Sequence, residues 1–377
     1  MHVGMSAIFQ NPEGNDGDPG LDAGVYDTEY KMADRAEALG FDSLWGVEHH
    51  FNGYAMCPDP LQFLTYFAAR TRKIKLGTMV VVAPWREPVR IAESCSVLDQ
   101  VSGGRLVLGL GRGVAKIEFD GFRVDMNLTR QMLIEATQAT IMGLETGEIA
   151  FDGEVIKQGR VMIRPKPTRS FKDRVYISAA SPETYPIMAK LGVGLLFIPG
   201  TRAWTEVAAD LEGYRQLFRE THGREAPPPI FAGWTFVDED ADRARELGRR
   251  YIKGYVRSAL SHYNTKGGHL HGVKGYESYV TREAAAAARG VTDDMVQDAF
   301  VESHVYGTPE QCVERVAEVR RMLGAAAFLG IFNYAGMPAE EAMRNQALFA
   351  TKVLPRLKAL EPGLDIGTSG RELEAAQ

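Results

Sequence analysis

The stretch 74–113, IKLGTMVVVAPWREPVRIAESCSVLDQVSGGRLVLGLGRG, sets two apolar runs on either side of one helical pattern. IKLGTMVVV (74–82) and RLVLGL (105–110) are apolar on both alternating faces, as parallel strands are when helices cover each side. Between them, PVRIAESCSVLDQVSGG from Pro88 reads as a helix. The same alternation recurs along the chain. Further strand candidates are HVGMSAIF (2–9), DSLWGVE (42–48), VYISAA (175–180), VGLLFI (193–198), IFAGWTFV (230–237) and AAFLGIFN (326–333). Helical stretches follow, among them YDTEYKMADRAEALG from Tyr26 and TRQMLIEATQATIMGLETG from Thr129. Eight strands, each followed by a helix, point to the α/β class and to a closed (β/α)8 TIM barrel before a doubly wound sheet.

A chain of 377 residues can form one such barrel, and no long Pro/Ser linker divides it. One domain is therefore expected over 1–360, with insertions near 146–174 and 262–300. The first insertion, with FDGEVIKQGRVMIRPKP, reads as a β-hairpin. The second is polar and glycine-bearing, and long insertions of that kind serve as lids or are disordered. A disordered tail is expected over 361–377.

With 45% hydrophobic residues the chain can bury a large core. Its net charge is −6 and it has no Lys/Arg cluster of the kind that neutralises phosphates, which argues against nucleic acid. Three well-separated cysteines, Cys57, Cys95 and Cys312, fit free thiols in a reducing compartment. No signal peptide and no bilayer-length apolar run is apparent, so a cytoplasmic protein without membrane contact is expected.

In a barrel of this kind the C-terminal strand ends carry the chemistry. Three polar features fall there. Glu48, His49 and His50 end the second strand in WGVEHHF (45–51). Neighbouring residues on a strand point to opposite faces, so His49 and His50 do not chelate one ion together, and no metal is expected. What remains is a packed rim histidine or one that faces the barrel mouth as proton donor or acceptor, with Glu48 orienting it. Arg112, between Gly111 and Gly113, is either a surface arginine with a carboxylate partner or a fork of donors for a phosphate. SPET (181–184) has the chemistry of a helix start. It is either that alone or, through its free N–H groups and hydroxyls, an anion site.

Taken together, EHHF (48–51), the stretch 77–113, DMNLTR (125–130), YISAASPET (176–184), GTPEQCVERV (307–316) and KVLPRL (352–357) resemble the bacterial luciferase-like flavin-dependent monooxygenases. The likeness is closer to the luciferase α subunit than to remote members, and runs from Met1 to about Leu360. The resemblance implies a two-component enzyme that takes reduced FMN from a separate NAD(P)H-dependent flavin reductase. With O2 it would form a C4a-peroxyflavin and oxygenate a small hydrophobic organic substrate. It also implies a homodimer or heterodimer.

By motif, the resemblance places the FMN phosphate on Arg112, Ser181 and Thr184, with Ala180 beside them. Val114 falls at a backbone contact to the cofactor. A cis peptide between Met79 and Val80 would lie beneath the flavin ring, and His49, flanked by Glu48 and His50, would be the catalytic histidine. Two departures count against light emission and a long-chain aldehyde: Gly111 replaces a reactive cysteine, and Ala180 replaces an acidic residue. Phe9, Trp85, Phe197 and Trp234 are expected to make the pocket apolar, and His269 or His271 could approach it from the second insertion. Two alternatives are a deazaflavin-dependent oxidoreductase on the same barrel and a non-catalytic flavin-binding subunit.

Overall fold

The structure, a computed structural model, describes residues 1–12, 18–178, 181–198, 200, 204–360 and 365–367. Eight parallel strands close on themselves: β1 (His2–Ala7), β2 (Ser43–Gly46), β3 (Lys75–Thr78), β4 (Leu106–Gly111), β5 (Val175–Ser178), β6 (Gly194–Phe197), β7 (Ile230–Val237) and β8 (Ala327–Ile331). The ring closes where β1 pairs with β8, with His2 opposite Ala327 and Met5 opposite Gly330. This is the α/β TIM barrel read from the alternation. Nearly every strand residue is buried, because the barrel interior packs one face and the helices cover the other.

Several helices begin where the sequence supplies a side-chain acceptor for their free N–H groups. Asp59 accepts from the N–H of Leu61 and Gln62 at the start of helix Pro60–Arg70, and Asp240 does so for helix Ala241–Tyr263. At the opposite, N-terminal end of the barrel, buried Arg174 pairs with Asp99 of helix Pro88–Ser102 and donates from Nε to Leu106 O at 3.0 Å. Of the tail expected to be disordered, 361–364 and 368–377 lie outside the described residues. Residues 365–367 pack under this end, where Asp365 meets His2 Nδ1 at 3.0 Å and Lys75 Nζ at 2.8 Å.

The run 74–82, expected as one strand, is broken. After Thr78 comes a cis peptide between Met79 and Val80, and pairing resumes at Val81–Val82 against Leu110 and Gly111. Thr78 fills the gap in the ladder: its hydroxyl donates to Gly109 O and accepts from Gly109 N, both at 2.8 Å. The close approach needs glycine, since a Cβ on Gly109 would lie 2.0 Å from Thr78 O, and one on Gly111 would lie 2.4 Å from Val80 Cγ2.

The first insertion is an antiparallel hairpin of Glu148–Asp152 and Lys157–Met162. The second contains helices Glu277–Ala288 and Asp293–Ser303, joined to helix Ala241–Tyr263 by turns. Its turns lie over the C-terminal end of the barrel. Among the described residues no helix is long and apolar enough to cross a membrane.

Candidate active site

A cleft opens at the C-terminal ends of β2 to β5. His49, Met79, Val80, Arg112, Val114, Ser181 and Thr184, all anticipated from sequence, line it together with Glu48. Ala180 lies outside the described residues. His50 does not line it; its ring packs edge-on against Phe122, 4.6 Å away.

Glu48 does not orient His49. Buried behind the strand end, its carboxylate accepts from Val82 N at 2.9 Å and Arg86 Nη2 at 3.2 Å, and meets His50 Nε2 at 3.3 Å. The acid that serves His49 is Glu118, from the helix Lys116–Phe122 that follows β4. Its Oε1 lies 3.0 Å from His49 Nδ1 and accepts the His50 backbone N–H at 2.9 Å. Burial would raise the Glu118 carboxyl, but the charge of His49, the close approach of the His262 ring and the hydrogen bond with His49 outweigh it and hold the group well below the usual carboxylate range.

On its other side, His49 Nε2 lies 3.3 Å from the Tyr263 hydroxyl. Tyr54 donates to that hydroxyl at 3.5 Å and is itself hydrogen-bonded to Tyr255. Burial raises the phenols of Tyr54, Tyr255 and Tyr263 well above their ordinary values, so all three keep their protons. His49 therefore stands between a carboxylate and a neutral phenol, an arrangement suited to passing a proton.

Away from His49, the cleft is built for an anion. Arg112 Nη1 donates to Gly275 O at 2.5 Å, and Arg130 Nη2 donates to the same oxygen at 2.7 Å. The Arg112 guanidinium stacks 3.8 Å from the centre of the Tyr276 ring, and the Tyr276 hydroxyl donates to Gly113 O at 3.0 Å. The second insertion is thus clipped onto the two arginines by one carbonyl and one aromatic ring. Ser181 Oγ and Thr184 Oγ1 lie 3.1 Å apart at the start of helix Thr184–Leu191. That helix begins only at the last residue of SPET, with Glu183 at its cap position and no side-chain cap hydrogen bond. Two converging guanidinium groups, with Arg130 Nε buried and unpaired, and an adjacent hydroxyl pair fit a phosphate.

The apolar lining is mainly aliphatic, with the rings of Tyr263 and Tyr279 beside it. Met79, Val80, Val82, Leu133, Ile134 and Ile198 face the cleft, and Phe9, Trp85, Phe197 and Trp234 do not. Each of those four rings is taken up elsewhere: Phe9 against Phe63, Trp85 against Phe119, Phe197 against Trp204, and Trp234 against Tyr255. His269 and His271 are also outside the lining. Sequence reasoning missed Glu118, Arg130, His262 and Tyr263. Of these, only Arg130 carried a signal, as the last residue of DMNLTR. His49, Glu118 and His262 bring ligand-type atoms within 4.8 Å of one another, a grouping that adjacency of His49 and His50 did not foretell.

The model of the luciferase-like monooxygenases matches residues 1–326. The chain belongs to that family. It is accordingly a flavin-dependent oxidoreductase of the monooxygenase type. The alkanal monooxygenase alpha chain of Photorhabdus luminescens is 27% identical over 341 residues, covering 89% of this chain and 92% of that protein. Among solved structures, a monooxygenase from Streptomyces bottropensis aligns with a TM-score of 0.74 at 24% identity, covering 94% of this chain and 99% of the other. The oxygenating constituent of 3,6-diketocamphane monooxygenase from Pseudomonas putida, in complex with FMN, aligns at 0.70 and 17%, covering 95% and 98%. An F420-dependent secondary alcohol dehydrogenase aligns at 0.68 and 18%, covering 94% and 98%.

Proposed function

We propose that this protein is the oxygenating component of a two-component, FMN-dependent monooxygenase acting on a small hydrophobic organic substrate. The observation that carries the reading is the convergence of Arg112 and Arg130 on one oxygen, beside Ser181 and Thr184, in the cleft that also holds His49. The flavin phosphate would replace the Gly275 carbonyl between the arginines. The ring system would lie along Met79, Val80 and Val114. Reduced FMN, delivered by an NAD(P)H-dependent reductase, would supply the activation of O2.

The chain's own residues would do the rest. The aliphatic walls and the insertion, held by Tyr276 against Arg112, would keep water out, which protects a reactive flavin from wasteful breakdown. His49 accepts or gives a proton at Nε2, and Glu118 carries the negative charge that matches the imidazolium. Aliphatic walls favour an aldehyde, ketone, terpenoid or aromatic over a sulfonate. Self-association through the first half of the barrel belongs to the same reading, since Tyr66, Val97 and Val101 stand exposed on its helices.

The test is rapid mixing of the anaerobic protein, loaded with reduced FMN, against oxygenated buffer. A flavin transient that outlasts free reduced flavin, and an oxygenated product with a hydrophobic substrate, are expected. Tight binding of a deazaflavin in preference to FMN, with hydride transfer and no use of O2, would replace this reading with the dehydrogenase one. Flavin binding with neither transient nor product would make the chain a non-catalytic subunit.

A further inference from the structure

Behind Glu118 lies a second histidine that the proposed chemistry does not use. His262, near the end of helix Ala241–Tyr263, is almost wholly enclosed and stacks on Tyr54 at 4.3 Å. Its hydrogen-bond partners fix its tautomer. Asn52 Oδ1 accepts the Tyr54 backbone N–H at 3.1 Å, so the amide nitrogen of Asn52 is the atom 2.9 Å from His262 Nδ1. That nitrogen can only donate, so His262 Nδ1 must accept and the ring proton belongs on Nε2. His262 Nε2 lies 3.5 Å from Glu118 Oε1, near enough for its N–H to act electrostatically on the carboxylate but outside hydrogen-bond geometry, and it has no hydrogen-bond partner among the described residues.

Glu118 Oε1 therefore faces three N–H groups: His50 N, His262 Nε2 and His49 Nδ1. An ionised carboxylate only accepts, so the His49 proton belongs on Nδ1, and in the neutral ring Nε2 carries the lone pair. The Tyr263 hydroxyl, 3.3 Å away, is a donor suited to it.

We propose that Asn52 and His262 are positioning residues that act on His49 through Glu118, keeping His49 in the Nδ1–H tautomer with its bare Nε2 beside Tyr263. The chain Asn52–His262–Glu118–His49 decides at which ring nitrogen a proton enters or leaves. The inference rests on His49 being the proton-transfer group for its consequence, but not for its geometry. It also gives the grouping of His49, Glu118 and His262 a use other than metal binding. A metal on His262 Nε2 would have to move that ring's proton to Nδ1, against the Asn52 amide.

The test is long-range 1H–15N spectroscopy of the imidazoles in the full-length, flavin-free protein, above the range where they titrate. The two rings are assigned from the signals lost in His49→Ala and His262→Gln. In the unsubstituted protein, His49 should be Nδ1–H and His262 Nε2–H. Asn52→Asp, which replaces the donor with an acceptor, should move a proton onto His262 Nδ1. His262→Leu should let the Nε2–H form of His49 appear, and His262→Gln, which keeps an N–H near that place, should suppress it.

A His49 that is mainly Nε2–H in the unsubstituted protein overturns the proposal, as does a His49 tautomer that ignores His262→Leu. Stoichiometric zinc binding that displaces these ring protons and is lost in His262→Gln would also overturn it, in favour of a metal site. If instead the tautomers are as stated and His49→Ala leaves product yield unchanged, the positioning stands and the catalytic reading of His49 falls.

Discussion

Glu118 and His49 stand 69 residues apart in sequence, yet Glu118 Oε1 lies 3.0 Å from His49 Nδ1 at the mouth of the barrel. The contact joins the end of β2 to the helix after β4 and replaces the pairing with Glu48 that adjacency implied. Glu48 is committed to Val82 N and Arg86. Replacing Glu118 with Gln keeps the shape but removes the charge that matches a protonated His49. Oxygenated product per flavin oxidised should fall by roughly 10²-fold or more, the contribution of a positioned acid–base group. FMN affinity, measured by titration, should change little, and an unaltered yield would refute the assignment.

The same variant has a signature in stability. The native Glu118 carboxyl is depressed, so the unfolded chain takes up its proton first as pH falls. The stability it contributes is complete above about pH 5 and is lost as pH falls toward the native value. Denaturant unfolding of Glu118→Gln against the unsubstituted protein should show a gap at pH 6. The gap should narrow below the ordinary glutamate range. A gap independent of pH down to 3 would mean that the carboxyl is not held by His49 and His262.

On the anion side, Arg112→Ala and Arg130→Ala should each weaken FMN by ~1.5–3 kcal/mol, the range for a hydrogen bond to a charged group. Binding of riboflavin, which lacks the phosphate, should be nearly unchanged in both variants. Equal losses for the two flavins would place the arginines away from the phosphate.

The barrel was legible because its signal is local. Strands of four to eight apolar residues alternating with helices are readable in any window, and His49 and Arg112 follow from where those strands stop. The partners of these residues were not readable. Glu118 is one acid in the first turn of a seven-residue helix and looks like any solvated helix start. His262 and Tyr263 reach the site from a helix more than two hundred residues after His49. Aromatic rings misled for a related reason. Strand alternation sends Phe197 outward to Trp204 while its neighbour Ile198 faces the cleft, and composition cannot say which of two adjacent apolar residues faces inward.

Glu29 gives a prediction away from the cleft. It is fully enclosed, and burial pushes its carboxyl up to about 7 despite N–H donors from Phe9, Ile8 and Asn333. The native protein therefore holds this proton after the unfolded chain has lost it, and stability falls as pH rises from the ordinary glutamate range to about 7. Glu29→Gln keeps the accepting oxygen and does not titrate. Its stability relative to the unsubstituted protein should rise by about 3 kcal/mol between pH 4 and pH 8. A difference that is flat with pH would show that the native Glu29 carboxyl titrates as it does in the unfolded chain.

Gly111 stands where the resemblance to the luciferase α subunit implies a cysteine, and the structure shows what a side chain there would meet. A Cβ at 111 would lie 2.4 Å from Val80 Cγ2, so glycine here lets the Val80 side chain close against β4. Gly111→Cys on its own should cost ~1–3 kcal/mol, the usual penalty of overpacking a filled core. Combining it with Val80→Ala should recover much of that loss, because the space claimed by the new side chain is then free. Thermal or denaturant unfolding of the two single variants and the double variant measures the coupling directly. Additive losses would show that Val80 moves aside without cost, and that residue 111 is not restricted by packing.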